Sequence, residues 1–406
     1  FRQTGFYSLV AGEWTAYNRN NTTALAELFD FYTILTNTAT NEVYAGSFLD
    51  GLVVFDGTNF TVYDDSNSSL NNAIGDENRT RVSGLALDAT GNLWISNHAA
   101  ERPFSVRTTT GDWQSFSTSR CAGNDANLLE VLVDDNGYKW FTSNTSSVGL
   151  LVYDTGVLED NSDDRCRVFT STNSALPNNT VKDIVVDQDG DVWVGTSEGV
   201  VVFQCGPQVF DNCDATEITT DQDETNLGRL LSGNEVSAVA IDGGNNKWFG
   251  TTNSGIFVQS PDGREQLAHF NINNSPLLSN TITDISIRDK TGEVFIGTSE
   301  GLMSYRAQAT SGGVVNSNNI YAFPNPVRPE YDGDIAITGL AQNADVKITD
   351  VNGQLIYETR AQGGQAIWDG NDYNGRRAST GVYLVFSTNN NLNNPDAAVA
   401  KILFIH

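Results

Sequence analysis

An aromatic residue returns at a nearly constant distance along the first three-quarters of the chain: Tyr44, Trp94, Trp140, Trp193, Trp248 and Phe295, in steps of 50, 46, 53, 55 and 47 residues. A period of this length marks one supersecondary unit repeated side by side, because a single copy cannot bury its own apolar face. Each copy opens on an apolar strand such as VKDIVVD (181–187) and turns at Gly or Asn (Asn41, Gly91, Gly137, Gly190, Asn245, Gly292). It returns through the aromatic, as in GDVWVGTSEGVVVF (190–203). A third strand starts at a glycine (Gly51, Gly149, Gly199, Gly255, Gly301), and a fourth carries aromatics three apart, as Phe60 with Tyr63 or Trp113 with Phe116. Four strands in about 50 residues make one blade of a β-propeller.

Blades pack face to face, so their inner strands are expected to read as continuous apolar runs, as SGLALD, EVLVD, SAVAID and TDISIRD do. The second-strand aromatic is then a core wedge between neighbouring blades. The fold class expected is all-β, a six- or seven-bladed propeller over residues 1–309. The chain starts in mid-blade: FYSLVAGEWTAYNR (6–19) holds Trp14 and Tyr17 at fourth-strand spacing, whereas the sixth repeat stops after GLMSYR (301–306). The N-terminal strand is expected to close the ring, since borrowing a strand removes an open sheet edge.

Beyond residue 310 the period is lost. SGGVVNSNN (311–319) reads as a linker, which places a boundary at 310–319. Residues 320–406 hold seven short alternating segments, among them ADVKITD, GVYLVFST and AAVAKILFIH, a pattern expected of an immunoglobulin-like β-sandwich.

Composition narrows the setting. With 50 acidic and 23 basic residues the formal charge is −27, of which −24 lies in residues 1–309 and −3 in 310–406. Such a surface repels phosphate backbones and excludes nucleic acid as a partner. No apolar run approaches the roughly 20 residues of a membrane helix. The chain shows no leader, and its natural start is expected upstream of Phe1. Cys205 and Cys213 have seven residues between them in a polar stretch, a spacing suited to closing a loop. The expected pairs are Cys205 with Cys213 and Cys121 with Cys166, in an oxidising compartment; the alternative is four buried free thiols.

Little in the sequence carries catalytic chemistry. G-x-S-x-G occurs around Ser197 and around Ser299, but at equivalent repeat positions between strands, where a nucleophile elbow would need a strand running into a helix. His98, His269 and His406 are scattered. Asp187, Asp189 and Asp191 flank Gly190 like part of a calcium loop but lack its full ligand spacing, so a hairpin turn is the better reading. No enzyme activity, catalytic residue, metal site or cofactor is expected; a calcium bridge between acidic loops and a glycan is the one cofactor role left open. The ligand-binding candidates are Arg376 and Arg377 in NDYNGRR, because a guanidinium fork suits carboxylate or phosphate and the C-terminal domain is nearly neutral. The alternative is an ordinary solvated turn. The propeller mouth and the groove between propeller and sandwich are the concave candidates.

The repeat D-x-x-G, x-x-W-x-G-T-x-x-G resembles the two-component-regulator propeller repeats of Bacteroidota. YAFPNPV (321–327), VKITDVNGQLIYE (346–358), GGQAIWDGNDYNGRRASTGVYLVF (363–386) and AVAKILFIH (398–406) resemble the C-terminal sorting domain of type IX secretion. Asn325-Pro326, Asp350 with Gly353, Gly381-Val-Tyr383 and Lys401 sit where that pattern has them. Together the two halves are similar to the attachment-complex accessory proteins of type IX secretion, which have two propellers; one is evident here, so the chain would be the C-terminal portion of a longer protein. The resemblance implies a protein exported through the periplasm and held at the outer membrane on the cell surface. Its implied partners are the sortase, other outer-membrane attachment-complex proteins, and an anionic lipopolysaccharide presented for attachment to cargo. Two other readings stand beside it: a secreted cargo whose propeller binds glycan and whose C-terminal domain is cleaved, and a periplasmic ligand-sensing propeller.

Overall fold

Each repeat folds into one antiparallel sheet in the computed structural model, which describes residues 4–123, 127–145, 147–221, 227–389 and 395–405. Five sheets have four strands in chain order and a sixth has three. In blade 4, for example, Val181–Val186, Val192–Thr196, Gly199–Phe203 and Ala215–Glu217 pair in sequence. The repeat aromatics occupy the second strand throughout: Tyr44 in Glu42–Ser47, Trp94 in Leu93–Asn97, Trp140 in Lys139–Ser143, Trp193 in Val192–Thr196, Trp248 in Lys247–Thr251 and Phe295 in Glu293–Thr298. Tyr44, Trp94, Trp140 and Trp248 pack between neighbouring blades of one unit. Trp94 shares a core with Phe141 and Tyr153 of blade 3, Trp140 with Val194 and Phe203 of blade 4, and Trp248 with Ile285 and Val294 of blade 6.

A polar contact repeats with the aromatic. The indole Nε1 of Trp94, Trp140, Trp193 and Trp248 donates to Asp88, Asp134, Asp187 and Asp242 at 3.0, 2.8, 2.8 and 3.0 Å. The other oxygen of each carboxylate accepts an amide four residues further on, from Asn92, Tyr138, Asp191 and Asn246. One aspartate therefore ties the hairpin turn to the blade core, so a buried acid stays hydrogen-bonded. Blade 1 departs from this: Tyr44 donates its hydroxyl to Glu42 at 2.8 Å. In blade 6 Phe295 is only half-buried.

Burial differs from the expectation in one respect. The second strand, with a neighbour on each side, is fully buried in blades 2 to 5, while first strands such as Val181–Val186 and Ile282–Arg288 are only partly buried. A first strand is a sheet edge, and a bulge near its start in blades 1, 2, 3, 4 and 6 bends it further.

The N-terminal residues form a hairpin, Phe6–Val10 with Glu13–Tyr17, as a two-stranded sheet of its own. Ala11 and Gly12, both at positive φ, make the two-residue turn that suits a tight hairpin. An asparagine staple follows its second strand: Asn21 Oδ1 accepts from the Asn18 amide at 2.9 Å and Nδ2 donates to the Ala16 carbonyl at 2.8 Å. Asn67, Asn173 and Asn274 make the same pair of bonds after the fourth strands of blades 1, 3 and 5. The hairpin thus has the local form of third and fourth blade strands.

The chain divides into two compact units, Phe1–Ile218 with Arg229–Val236, and Thr219–Gly228 with Ser237–His406. In the second, seven strands form a sandwich of two antiparallel sheets. One orders Tyr321–Phe323, Ile335–Thr338 and Gln365–Trp368; the other orders Leu355–Arg360, Asp345–Asp350, Gly381–Thr388 and Ala397–Phe404. Inward residues alternate along each strand, as Val346 and Ile348, Tyr383 and Val385, and Ile402 and Phe404, around Trp368. The segment read as a linker is built into this domain. Thr310 bridges Gly363 and Gly313 bridges Ala341. The buried Asn316 takes the Asp396 carboxylate at 2.6 and 2.8 Å and accepts from Ser387 Oγ at 2.8 Å.

Candidate functional site

The residues that carry the C-terminal pattern are structural clamps around the last strand. Asn325 Nδ2 donates to the Lys401 carbonyl at 2.8 Å and its Oδ1 accepts from the Leu403 amide at 2.9 Å, which pins the segment before Pro326 to the chain end. Val327 continues the pairing with Leu403 and Ile405. Asp350 Oδ1 accepts the amides of Asn352 and Gln354 at 2.8 and 2.9 Å, closing a turn in which Gly353 adopts φ +85°. Tyr383 packs its ring against Trp368 and Phe404, with centroids 5.6 and 5.3 Å away, and donates its hydroxyl to the Ser379 carbonyl at 3.0 Å. The side chain of Lys401 lies exposed on the final strand.

The two candidate arginines face different ways. Arg376 lies over its own turn: Nε and Nη2 reach Asp372 Oδ2 at 3.1 and 2.9 Å, while three-quarters of the side chain stays in solvent. The Arg376 amide, aided by its guanidinium, holds the Asp372 carboxyl down to about 2. Arg377 instead donates to the backbone carbonyls of Asp369 and Tyr331 and lies over the Phe404 ring at 5.5 Å. It braces the WDG turn against the sandwich core, a role the sequence reading missed because both acceptors are main-chain atoms remote from any side-chain signal.

The remaining sequence candidates are separate. Ser197 lies in the two-residue turn between paired Thr196 and Gly199 and accepts from Asn178 Nδ2 at 2.7 Å; Ser299, in the matching turn, contacts Ser279 Oγ at 2.9 Å. Neither turn leads into a helix. His98 contacts the Leu128 carbonyl at 3.2 Å and His269 the Ser254 carbonyl at 2.7 Å; His406 lies outside the described residues. Asp187 is engaged by its turn amides and Trp193, and Asp191 accepts from Gln204 at 2.6 Å. Among the described residues no group of three or more His, Cys, Asp or Glu side chains is placed to hold a metal ion. Cys121 is bonded to Cys166, joining the end of blade 2 to blade 3, and Cys205 to Cys213.

Within the second unit a groove of about 340 Å³ runs between blades 5 and 6 and reaches Gln362 of the C-terminal domain. Its floor is aromatic. Trp248 and Phe270 stack with centroids 6.2 Å apart, and Tyr305, 41% exposed, lies 5.3 Å from Phe270. Asp242, Asn246 and Gln308 add polar groups to the lining. Flat rings bordered by hydrogen-bonding groups suit the apolar face and hydroxyl edge of a sugar.

Comparison with known proteins agrees with this architecture. Residues 175–198 match the two-component-regulator propeller repeat, and residues 321–399 match the secretion-system C-terminal sorting domain. PorZ, an essential bacterial surface component of the type IX secretion system of Porphyromonas gingivalis, has a similar structure, with a TM-score of 0.69 and 25% identity over 100% of this chain. This chain spans 57% of the PorZ chain. The extracellular domain of a putative hybrid two-component system, BT4673 of B. thetaiotaomicron, matches at 14% identity and TM-score 0.49, over 93% of this chain and 50% of that one. A putative gluconolactonase matches at 12% identity and TM-score 0.45, over 70% and 90%. No curated protein matches the chain in sequence. No helix among the described residues is long and apolar enough to cross a membrane. The chain therefore carries a match to the two-component-regulator propeller repeat in its propeller and a match to the secretion-system C-terminal sorting domain after it, and is similar along its whole length to PorZ of the type IX secretion system.

Proposed function

We propose that this chain is a non-enzymatic surface component of the type IX attachment complex, which binds an anionic lipopolysaccharide and presents it to the sortase that modifies cargo. The observation that carries the reading is the PorZ likeness, which runs through propeller and C-terminal domain together. The aromatic groove beside the C-terminal domain supports binding of the glycan; of the two arginines, Arg376 is exposed but paired with Asp372, and Arg377 is committed to backbone carbonyls.

The competing reading, a cargo whose C-terminal domain is removed, requires an accessible segment near residue 310. The parallel bridges of Thr310 and Gly313 and the buried Asn316 speak for a retained domain, because a cleaving enzyme must first draw the chain out as an extended strand. The test is purification of the protein from its own outer membrane, followed by mass spectrometry of its C-terminus and identification of what co-purifies. The expected result is a chain intact through Lys401 that brings the sortase with it. Loss of everything after about residue 310, a position taken from the observed junction, would favour the cargo reading.

A further inference from the structure

Blades 1 and 2 enclose a second cavity, of about 490 Å³, that the groove described above does not include. Its origin lies in two residues. One blade on, the matching gap is plugged by Lys139, which is buried, lies 4.1 Å from the centroid of the Trp94 ring and donates to Thr155 Oγ1 at 2.8 Å. The residue before the aromatic in blade 2 is Leu93, and the aromatic it faces in blade 1 is Tyr44, so a shorter side chain meets a smaller ring and the gap stays open.

Arg107 reaches this gap from the third strand of blade 2, directly paired with Leu93. It is half-buried and lies over the Tyr63 ring at 5.5 Å. No carboxylate pairs with it among the described residues, and its Nε is buried without a hydrogen-bond acceptor. Its charge is thus left without a carboxylate although it borders an open cavity. Around it stand hydroxyls and two acids: Thr108 and Thr109 on the same strand end, Thr90 on the adjacent turn, and Glu42 and Asp56 in the lining. Thr40 and Tyr44 donate their hydroxyls to Glu42 Oε2 at 2.9 and 2.8 Å.

We infer that this cavity is a binding site for a small hydroxylated carboxylate of the sugar-acid class, with Arg107 taking the carboxylate and Glu42 and the threonines taking hydroxyls. A guanidinium fork matches a carboxylate bidentately, and a carboxylate side chain accepts from sugar hydroxyls. The volume admits one or two sugar rings. Glu42 sets the specificity, since Asp56 is bonded to the amides of its own turn: an anion without hydroxyls gains only Arg107 and meets the Glu42 carboxylate with nothing to donate to it, so it binds poorly. The inference does not rest on the attachment-complex reading, which is tested by co-purification.

The experiment is calorimetric titration of the full chain with D-glucuronate, with D-glucose and acetate as probes that lack the carboxylate and the hydroxyls. Saturable one-to-one binding of glucuronate is expected, roughly tenfold or more tighter than either control, because a hydrogen bond to a charged group carries at least that factor. Arg107→Ala should lose about tenfold or more, and Arg107→Lys, which keeps the charge and the stem over Tyr63 but not the fork, should lose several-fold at an unchanged melting temperature. Should the alanine variant fail to fold, the lysine variant decides. The inference is overturned if glucuronate gives no saturable heat at millimolar concentration, if glucose binds as tightly, or if the lysine variant binds as the parent does.

Discussion

Lys139 is a buried charge of the first unit, and its removal should change how stability depends on pH. Its amino group lies between blades 2 and 3, 5% exposed, and burial pushes its pKa from 10.5 down to about 8, against the pull of Asp154, Asp88, Asp134 and Asp164. A lysine that holds its proton less tightly when folded penalises the folded state wherever both states are charged. That penalty is full below the folded value and fades as pH climbs from about 8 to 10.5, because the native state then binds fewer protons than the unfolded one. Between about pH 7 and about pH 9.5 the two values imply a gain of about 2 kcal/mol. In Lys139→Met, which fills similar space without a charge, that gain should vanish. The assay is urea denaturation followed by tryptophan fluorescence at both pH values, with the parent compared to the variant so that other titrating groups cancel. A parent whose stability rises no more than the variant's, within about 0.5 kcal/mol, would refute the reasoning.

Two further outcomes follow from the blade cores and the disulfides. Trp193→Ala should cost about 3–5 kcal/mol as a large buried deletion, and Trp193→Phe about 1.5–3 kcal/mol, chiefly for the lost bond to Asp187; thermal or denaturant unfolding of both variants checks the order, and a phenylalanine variant as stable as the parent would mean the indole bond contributes nothing. Breaking Cys121–Cys166 should cost more than breaking Cys205–Cys213, about 4 against about 2.5 kcal/mol, since the sequence separations are 45 and 8; paired Cys→Ser variants compared by denaturation would expose a reversed order.

The period of the aromatic, the glycine and asparagine turns and the alternation in the C-terminal strands were legible in the sequence, because each reports a local constraint. Positive φ at Asn41, Gly91, Gly137, Gly190, Asn245 and Gly292 is a property of the turn itself, and the second-strand aromatic follows it at short range. The half-blade character of residues 6–19 was equally local, as the asparagine staple after Tyr17 repeats that of the full blades. What only the tertiary structure decided were the non-local partners. A pair of adjacent arginines looks the same in sequence whichever way each side chain turns; the fold sends Arg377 to carbonyls at Asp369 and Tyr331 and leaves Arg376 on Asp372. A glycine- and asparagine-rich stretch reads as a linker until Asn316 meets Asp396, 80 residues away. The open gap beside Arg107 exists because Leu93 and Tyr44 face each other across two blades, where Lys139 and Trp94 fill the next one. Residue type and spacing specify the strand and its turn; which side chains meet, and which are left unmet, depends on the packing of one sheet on another.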